Sequence, residues 1–298
     1  PATTVTVMSQ ETGVARTVTA DESGYYRVLS LAVGQYEIKA ESPGFKTALQ
    51  TGIRLTVGQQ AVVNLTLEVG AVQQQVTVTG EAMLVNTTTA SISGLVGETE
   101  VKELPLNGRS FDNLMSLNAG VANVTSQKGG GAGAQNGNLF SVSGRRYFDN
   151  LFLLNGVEYP GPSQLHSIPG GVSGQLLGID AVREFNVESY TYGAQFGKRS
   201  GGQVSIVTSS GTNRLHGSAF EFIRNSVLDA RNFFDPTPAQ IGGRIPPFKR
   251  NQFGGSLGGP IRKDKTFVFG NYEGFRQRLG VSNTMTVPDA NARKGILP

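Results

Sequence analysis

The residue types that most often carry chemistry are scarce in this chain. It has two histidines, His166 and His216, and no cysteine or tryptophan. Thiolate zinc sites, cysteine nucleophiles and disulfide scaffolds are therefore excluded. Neither histidine has a carboxylate nearby at metal-ligand spacing, and each reads as a loop or interface residue. Gly197-Lys198 suggests a phosphate-binding loop, but that motif would need glycine at Tyr192 and serine or threonine at Arg199. The glycine cluster Gly129 to Gly137 does not join a strand to a helix, as a dinucleotide-binding turn must. No nucleophile-elbow sequence surrounds any serine. The residues thus point away from an enzyme, a cofactor-binding protein and a metalloprotein.

Composition says more about architecture. Glycine accounts for 40 of 298 residues and charged residues for 16%, against roughly 25% in an ordinary soluble domain. The net charge of +4 is unevenly spread: residues 1–80 are net −1, residues 81–213 net −2 and residues 214–298 net +7. No recognition-helix pattern or aromatic ribonucleoprotein motif accompanies that basic end, so nucleic acid is not an expected partner. No apolar run approaches the 18 or so residues of a membrane helix, which excludes a helical span and leaves a β-barrel open. The length suggests two or three domains. The chain starts at Pro1 without a leader pattern, so any targeting signal is expected to have been removed or not included.

The elements that would have to position any site are mostly strands. In residues 1–74, Tyr36, Ile38 and Ala40 alternate with Glu37, Lys39 and Glu41, and Val63, Leu65, Leu67 and Val69 alternate with Asn64, Thr66 and Glu68. This is the period of half-buried strands. Further strands are expected at Thr4 to Val7, Ala15 to Ala20, Tyr25 to Val28 and Lys46 to Leu55, enough for a β-sandwich. Gln75 to Gly80 (QVTVTG) is a short β-prone run in a linker. Thr99 to Leu104 predicts a helix stopped by Pro105, and Ser110 predicts the cap of a second short helix carrying Phe111, Leu114 and Met115. Strands at Phe140 to Val142, Asn150 to Leu154, Val182 to Val187 and Gln203 to Val207, with glycine loops between them, predict an α+β domain over 81–212.

Residues 213–298 change character. Ser218 to Asn225, Gln252 to Gly259 and Thr266 to Gln277 are aromatic-rich strands of about the 9 to 11 residues a tilted membrane strand needs. A long link from Ser226 to Asn251 and a tight turn at Pro260 to Lys265 alternate as they do in outer-membrane barrels. The fold class read from sequence is mainly β: an N-terminal sandwich, an α+β domain and the first strands of an incomplete barrel. Three strands cannot close, and open edges are not tolerated in lipid.

Several segments resemble one family. The stretch AVREFNVESYTYGAQFGKRSGGQVSIVTSSGTNRLHGSAFEFIRN at 181–225 is similar to the plug-to-barrel junction of TonB-dependent outer-membrane receptors, especially the large Oar-like receptors of Acidobacteria. LPLNGRS at 104–110, GRRYFDNLFLLNGVEY at 144–159, LDARNFFD at 228–235 and RNQFGGSLGGPIRKDKTFVFGNYEGFRQ at 250–277 resemble the same group. Residues 1–74 resemble the carboxypeptidase-regulatory-like sandwich that precedes its plug.

The resemblance implies active uptake of a ligand across the outer membrane, with the sandwich in the periplasm and the plug inside the barrel. The TonB protein of an inner-membrane complex would supply the energy by strand addition to a short box. Gln75, Val76, Thr77, Val78, Thr79 and Gly80 occupy the place of that box, and the same run also reads as the last sandwich strand. Ligand contacts would come from plug loops, at Gln135, Asn136, Asn138, Gln164 and His166. Expected partners are TonB, outer-membrane lipid and a small ligand, glycan or peptide. A structural or adhesive surface protein is the alternative.

Overall fold

The computed structural model describes residues 3–70, 75–79, 91–104, 106, 109–125, 138–159, 177–190, 192–194, 196–230, 247–280 and 291–295. The chain forms two compact units, Pro1–Ala219 with Gly255–Glu273 and Phe220–Gly254 with Gly274–Pro298.

The first unit opens with β1 (Thr4–Ser9), β2 (Ala15–Thr19), β3 (Gly34–Glu41), β4 (Thr47–Leu55) and β5 (Gln75–Thr79), in the sheet order β2-β1-β3-β4-β5. The first four pair antiparallel. β5 lies parallel to β4, with Thr47 opposite Gln75 and Thr51 opposite Thr79. Tyr36, Ile38 and Ala40 turn inward as their alternation requires and pack with Val5, Val7, Ala48 and Ile53.

The expected strands at Tyr25 to Val28 and Val62 to Val69 form no ladder; Val69 alone makes an isolated bridge, to Phe45. Their alternation holds in part, since Tyr26, Val28, Val63, Leu65 and Leu67 pack on the core while Tyr25 and Val62 are exposed, but Val69, expected on the buried face, is exposed. The Tyr26 hydroxyl donates to Val63 O at 2.8 Å, and a cavity of about 620 Å³ is lined by both segments and by Val7, Tyr36 and Ile38. Period-2 patterning reports which side chains are buried, whereas a ladder needs a backbone neighbour about 4.8 Å away.

The plug follows with β6 (Ile92–Val96), α1 (Glu98–Glu103), β7 (Val121–Asn123), β8 (Phe140–Val142), β9 (Leu151–Leu154), β10 (Val157–Glu158), β11 (Val182–Tyr190) and β12 (Gln203–Thr208). Its main sheet runs β10-β9-β12-β11-β6, with β12 parallel to β9 and the remaining pairs antiparallel; β7 and β8 form a separate pair. Asn155 and Gly156 both take positive φ, +50° and +82°, as a tight hairpin turn demands.

The element after α1 is a 3₁₀ helix, Phe111–Leu117, and Ser110 does not cap it. The Ser110 hydroxyl donates instead to the carboxylate of Asp112. That carboxylate is buried, and an unbonded buried acceptor would be costly. Phe111 meets Phe185 at 5.6 Å between ring centroids, at the heart of a core that includes Val101, Met115, Phe140, Val187, Val204 and Ile206.

Three long strands come last: β13 (His216–Asn225), β14 (Phe248–Arg262) and β15 (Thr266–Leu279), in the sheet order β13-β14-β15. Each runs a few residues beyond the span read from sequence. On β14 and β15 the exposed apolar residues Leu257, Ile261, Val268 and Tyr272 alternate with Ser256, Asn271 and Glu273. Apolar outside and polar inside is the pattern of strands that cross lipid.

Candidate functional site

Two polar clusters of the first unit hold surfaces together without covalent links. Arg109 forms the first. It carries a positive φ of +50°, unusual for a residue with a side chain, and its side chain is largely buried. Its Nη2 lies 3.2 Å from Asp180 Oδ2 and its Nε 3.4 Å from Glu273 Oε1. The Glu273 side chain is only 2% exposed and belongs to β15, so the pairing joins the plug to a membrane-type strand. Asp180 is placed by the 3₁₀ turn Ile179–Ala181. A Cβ on the preceding Gly178 would collide with the Glu273 carboxylate, so a larger residue there would push that carboxylate aside. Two acids around one guanidinium, away from water, are held by their mutual contacts. Removing one partner from such a cluster costs about 3–5 kcal/mol.

The second cluster joins the sandwich to β11. Arg183 donates from both Nη atoms to Glu11, at 2.9 Å and 2.5 Å, a fork-on-carboxylate geometry. One residue on, Glu184 accepts from the Val57 backbone N–H at 2.6 Å and lies 4.0 Å from the Arg54 guanidinium. The Asn186 and Glu188 side chains approach Gly58, where an added Cβ would meet Asn186 Nδ2 at 3.2 Å. Phe185 and Val187 belong to the plug core, so β11 is buried on both faces: apolar residues inward, acids and an amide toward the sandwich. Burial raises the Glu184 carboxyl above the ordinary carboxylate value, opposed by the Val57 N–H and the nearby Arg183 and Arg54. Burial likewise raises Glu188.

The residues singled out from the sequence fall elsewhere. Gln75 to Thr79 form β5, at the end of the first sheet's strand order; Gly80 lies outside the described residues. Asn138 donates to Asn113 Oδ1 at 2.9 Å. Gln135, Asn136, Gln164 and His166 also lie outside the described residues. His216 stacks on Phe269 at 6.3 Å between centroids. Among the described residues, no group of three metal-ligating side chains converges.

Glycines of the second rich stretch have packing reasons to be glycine. A Cβ on Gly201 would sit 2.7 Å from the Asp149 carbonyl oxygen, and one on Gly202 would sit 2.8 Å from Val142. The Gly202 N–H donates to Asn150 Oδ1 at 2.9 Å, while the Asn150 amide donates to Phe140 O at 2.7 Å. Sequence reasoning quoted the segments holding Arg109 and Glu273 without singling out either residue. The signal available was a charge inside a sparsely charged motif.

Comparison with known proteins follows the same divisions. A sequence model of the carboxypeptidase regulatory-like domain matches residues 1–68, and one of an outer membrane beta barrel domain matches residues 207–298. The TonB-dependent transporter Oar of Myxococcus xanthus is 27% identical over 278 residues, covering 90% of this chain. The chain spans 24% of that relative's length. Among solved structures, the siderophore receptor PirA of Acinetobacter baumannii matches at 20% identity and a TM-score of 0.42, over 61% of this chain and 24% of that one. The ferric enterobactin receptor PfeA of Pseudomonas aeruginosa matches at 17% identity and a TM-score of 0.41, with the same coverage. The chain is accordingly similar to Oar over most of its length, and it joins a carboxypeptidase regulatory-like domain to outer-membrane barrel strands in a mainly β architecture.

Proposed function

We propose that this chain provides the periplasmic sandwich, the plug and the first barrel strands of a receptor that takes up a ligand across the outer membrane, energised by TonB from the inner membrane and without covalent chemistry. The observation that carries this reading is the Arg109–Asp180–Glu273 cluster. It links the plug to a membrane-type strand through ionic contacts, and such contacts can be broken and remade during each transport cycle.

In this reading TonB engages β5. Among the described residues β5 is the end strand of its sheet, the position that strand addition uses. Ligand contacts come from the plug loops at Gln135, Asn136, Asn138, Gln164 and His166. The ligand itself is a small molecule, glycan or peptide, and the exposed apolar face of β14 and β15 meets lipid.

The test is deletion of Gln75 to Gly80 in the full-length receptor. Energised uptake is expected to fall to the background seen without TonB, with ligand binding at the cell surface kept. Undiminished uptake would remove β5 as the coupling segment.

A further inference from the structure

The strand ends away from the tight turn at residues 263–265 carry a second group of charges, which neither the sandwich nor the plug uses. Arg224 of β13 places its guanidinium carbon 5.1 Å from the centre of the Phe248 ring, and Arg250 of β14 places its own 5.4 Å from that ring and 5.5 Å from Phe275. Two cations thus share one aromatic ring. Arg250 Nε and Nη2 both donate to Gln277 Oε1, at 3.0 Å and 2.8 Å, which locks the plane of the guanidinium. Gln277 is neutral, and the one carboxylate paired in this group is Asp229, 3.4 Å from Arg224 Nε. Among the described residues the cluster therefore carries an excess positive charge on pre-oriented donors.

The ordinary explanation for arginine near the end of a membrane strand is snorkelling, in which the stem lies against lipid and the head reaches the headgroups. Strand alternation argues against it here. Phe275 and Gln277 share the face of β15 that carries Glu273, the opposite face from Val268 and Tyr272. Arg250 contacts Phe275 and Gln277, so it belongs to that polar face. Arg276, by contrast, lies over Phe253, and its position in the alternation is that of Tyr272. The strand pair thus carries both kinds of arginine, and Arg224 and Arg250 are on the side where ionisable residues of membrane proteins mark a substrate path.

We infer that Arg224 and Arg250, supported by Phe248, Phe275 and Gln277, form a subsite for an oxyanion-bearing ligand, a carboxylate or phosphate presented to planar guanidinium forks. The inference rests on the uptake reading and narrows its ligand class. The aromatic rings hold the two like charges in place while the site is empty. A bound anion supplies the further countercharge that Asp229 alone does not.

The experiment is calorimetric titration of the full-length receptor in detergent, with citrate as probe and glycerol as the neutral control. Heat-dependent gel mobility verifies that each variant keeps a folded barrel. Native protein is expected to bind citrate and ignore glycerol. Arg250→Gln and Arg224→Gln are each expected to weaken citrate about fivefold or more, the worth of one charge-assisted contact. Arg276→Gln is expected to leave it unchanged. Arg250→Lys keeps the charge but loses the fork, and should fall in between. Absence of citrate binding, or equal weakening by Arg276→Gln, would overturn the subsite; the latter result would assign the anion affinity to the lipid-facing side. Uptake takes no part in the readout. A receptor that transports but lacks the citrate site therefore refutes the subsite alone, and one that binds citrate but fails in uptake refutes the transport reading alone.

Discussion

The sandwich and the plug are both built on five-stranded sheets, yet they bury different things. The sandwich core is apolar, Val5, Val7, Tyr36, Ile38, Ala40, Ala48 and Ile53, with its charged residues left at the surface. The plug buries its own apolar core and with it Asp112, Asp180, Glu184 and Glu188. A purely apolar core is cohesive and indifferent to direction. Buried charges are stable only in the geometry that pairs them, so they tie the plug to particular neighbours, β15 through Glu273 and the sandwich through Glu11 and Val57. The sandwich is held by apolar packing, and the plug in addition by charged contacts that select particular neighbours.

The largest expected effect tests whether the plug still relies on its apolar core. Phe185→Ala removes a fully buried ring packed on Phe111 and should destabilise the plug by about 3–5 kcal/mol. Hydrogen exchange on the β11 and β12 amides would read this as faster opening, with the β1 and β3 amides unchanged. Equal acceleration in both sheets would mean that sandwich and plug open as one unit, which would erase the contrast.

A smaller effect is expected from the clamp between the two sheets. Glu11→Ala and Arg183→Ala should each speed exchange on β11, and the double-mutant cycle should give a coupling of about 1–3 kcal/mol, the range for a charge-assisted pair that is only partly exposed. The charge-reversed pair Glu11→Arg with Arg183→Glu should recover part of the loss. Zero coupling would leave Glu11 and Arg183 as ordinary surface ions, and the tie between sandwich and plug to the Val57–Glu184 contact.

How much of this was legible in the sequence depends on whether the information is local. Alternation at Tyr36, Ile38 and Ala40 gave the inward face of β3, and the Asn155-Gly156 pair gave the hairpin turn. The same alternation at Tyr25 to Val28 and Val62 to Val69 identified core-facing side chains but wrongly promised ladders, because pairing depends on a neighbour that no local pattern encodes. The charged clusters were illegible for a related reason. Arg109 and Glu273 are 164 positions apart, and nothing in LPLNGRS or NYEGF says where the other will be. Ser110 shows a local signal overruled: its hydroxyl suits a helix cap, but the side chain turns to the buried Asp112 carboxylate and makes no cap hydrogen bond.

The smallest effect concerns pH and separates the two sheets by sign. In the plug, burial raises the carboxyls of Asp112, Glu184 and Glu188 above their ordinary values. Folding therefore favours their protonated forms. The stability that goes with protonation is fully present below the ordinary carboxylate range and is lost as pH rises through the raised values. The amides of β11 should open more readily at pH 7.5 than at pH 5. The amides of β1 and β3 should show no such trend once intrinsic exchange is subtracted, since none of their core residues is a carboxylate. Glu184→Gln keeps an acceptor for the Val57 N–H but cannot ionise, so it should flatten the β11 profile without abolishing it, leaving Glu188 and Asp112 to supply the remainder. If β11 became more stable as pH rose instead, the attraction of Arg183 and Arg54 for Glu184 would outweigh its desolvation, and the clamp, not the burial, would govern how the plug responds to protons.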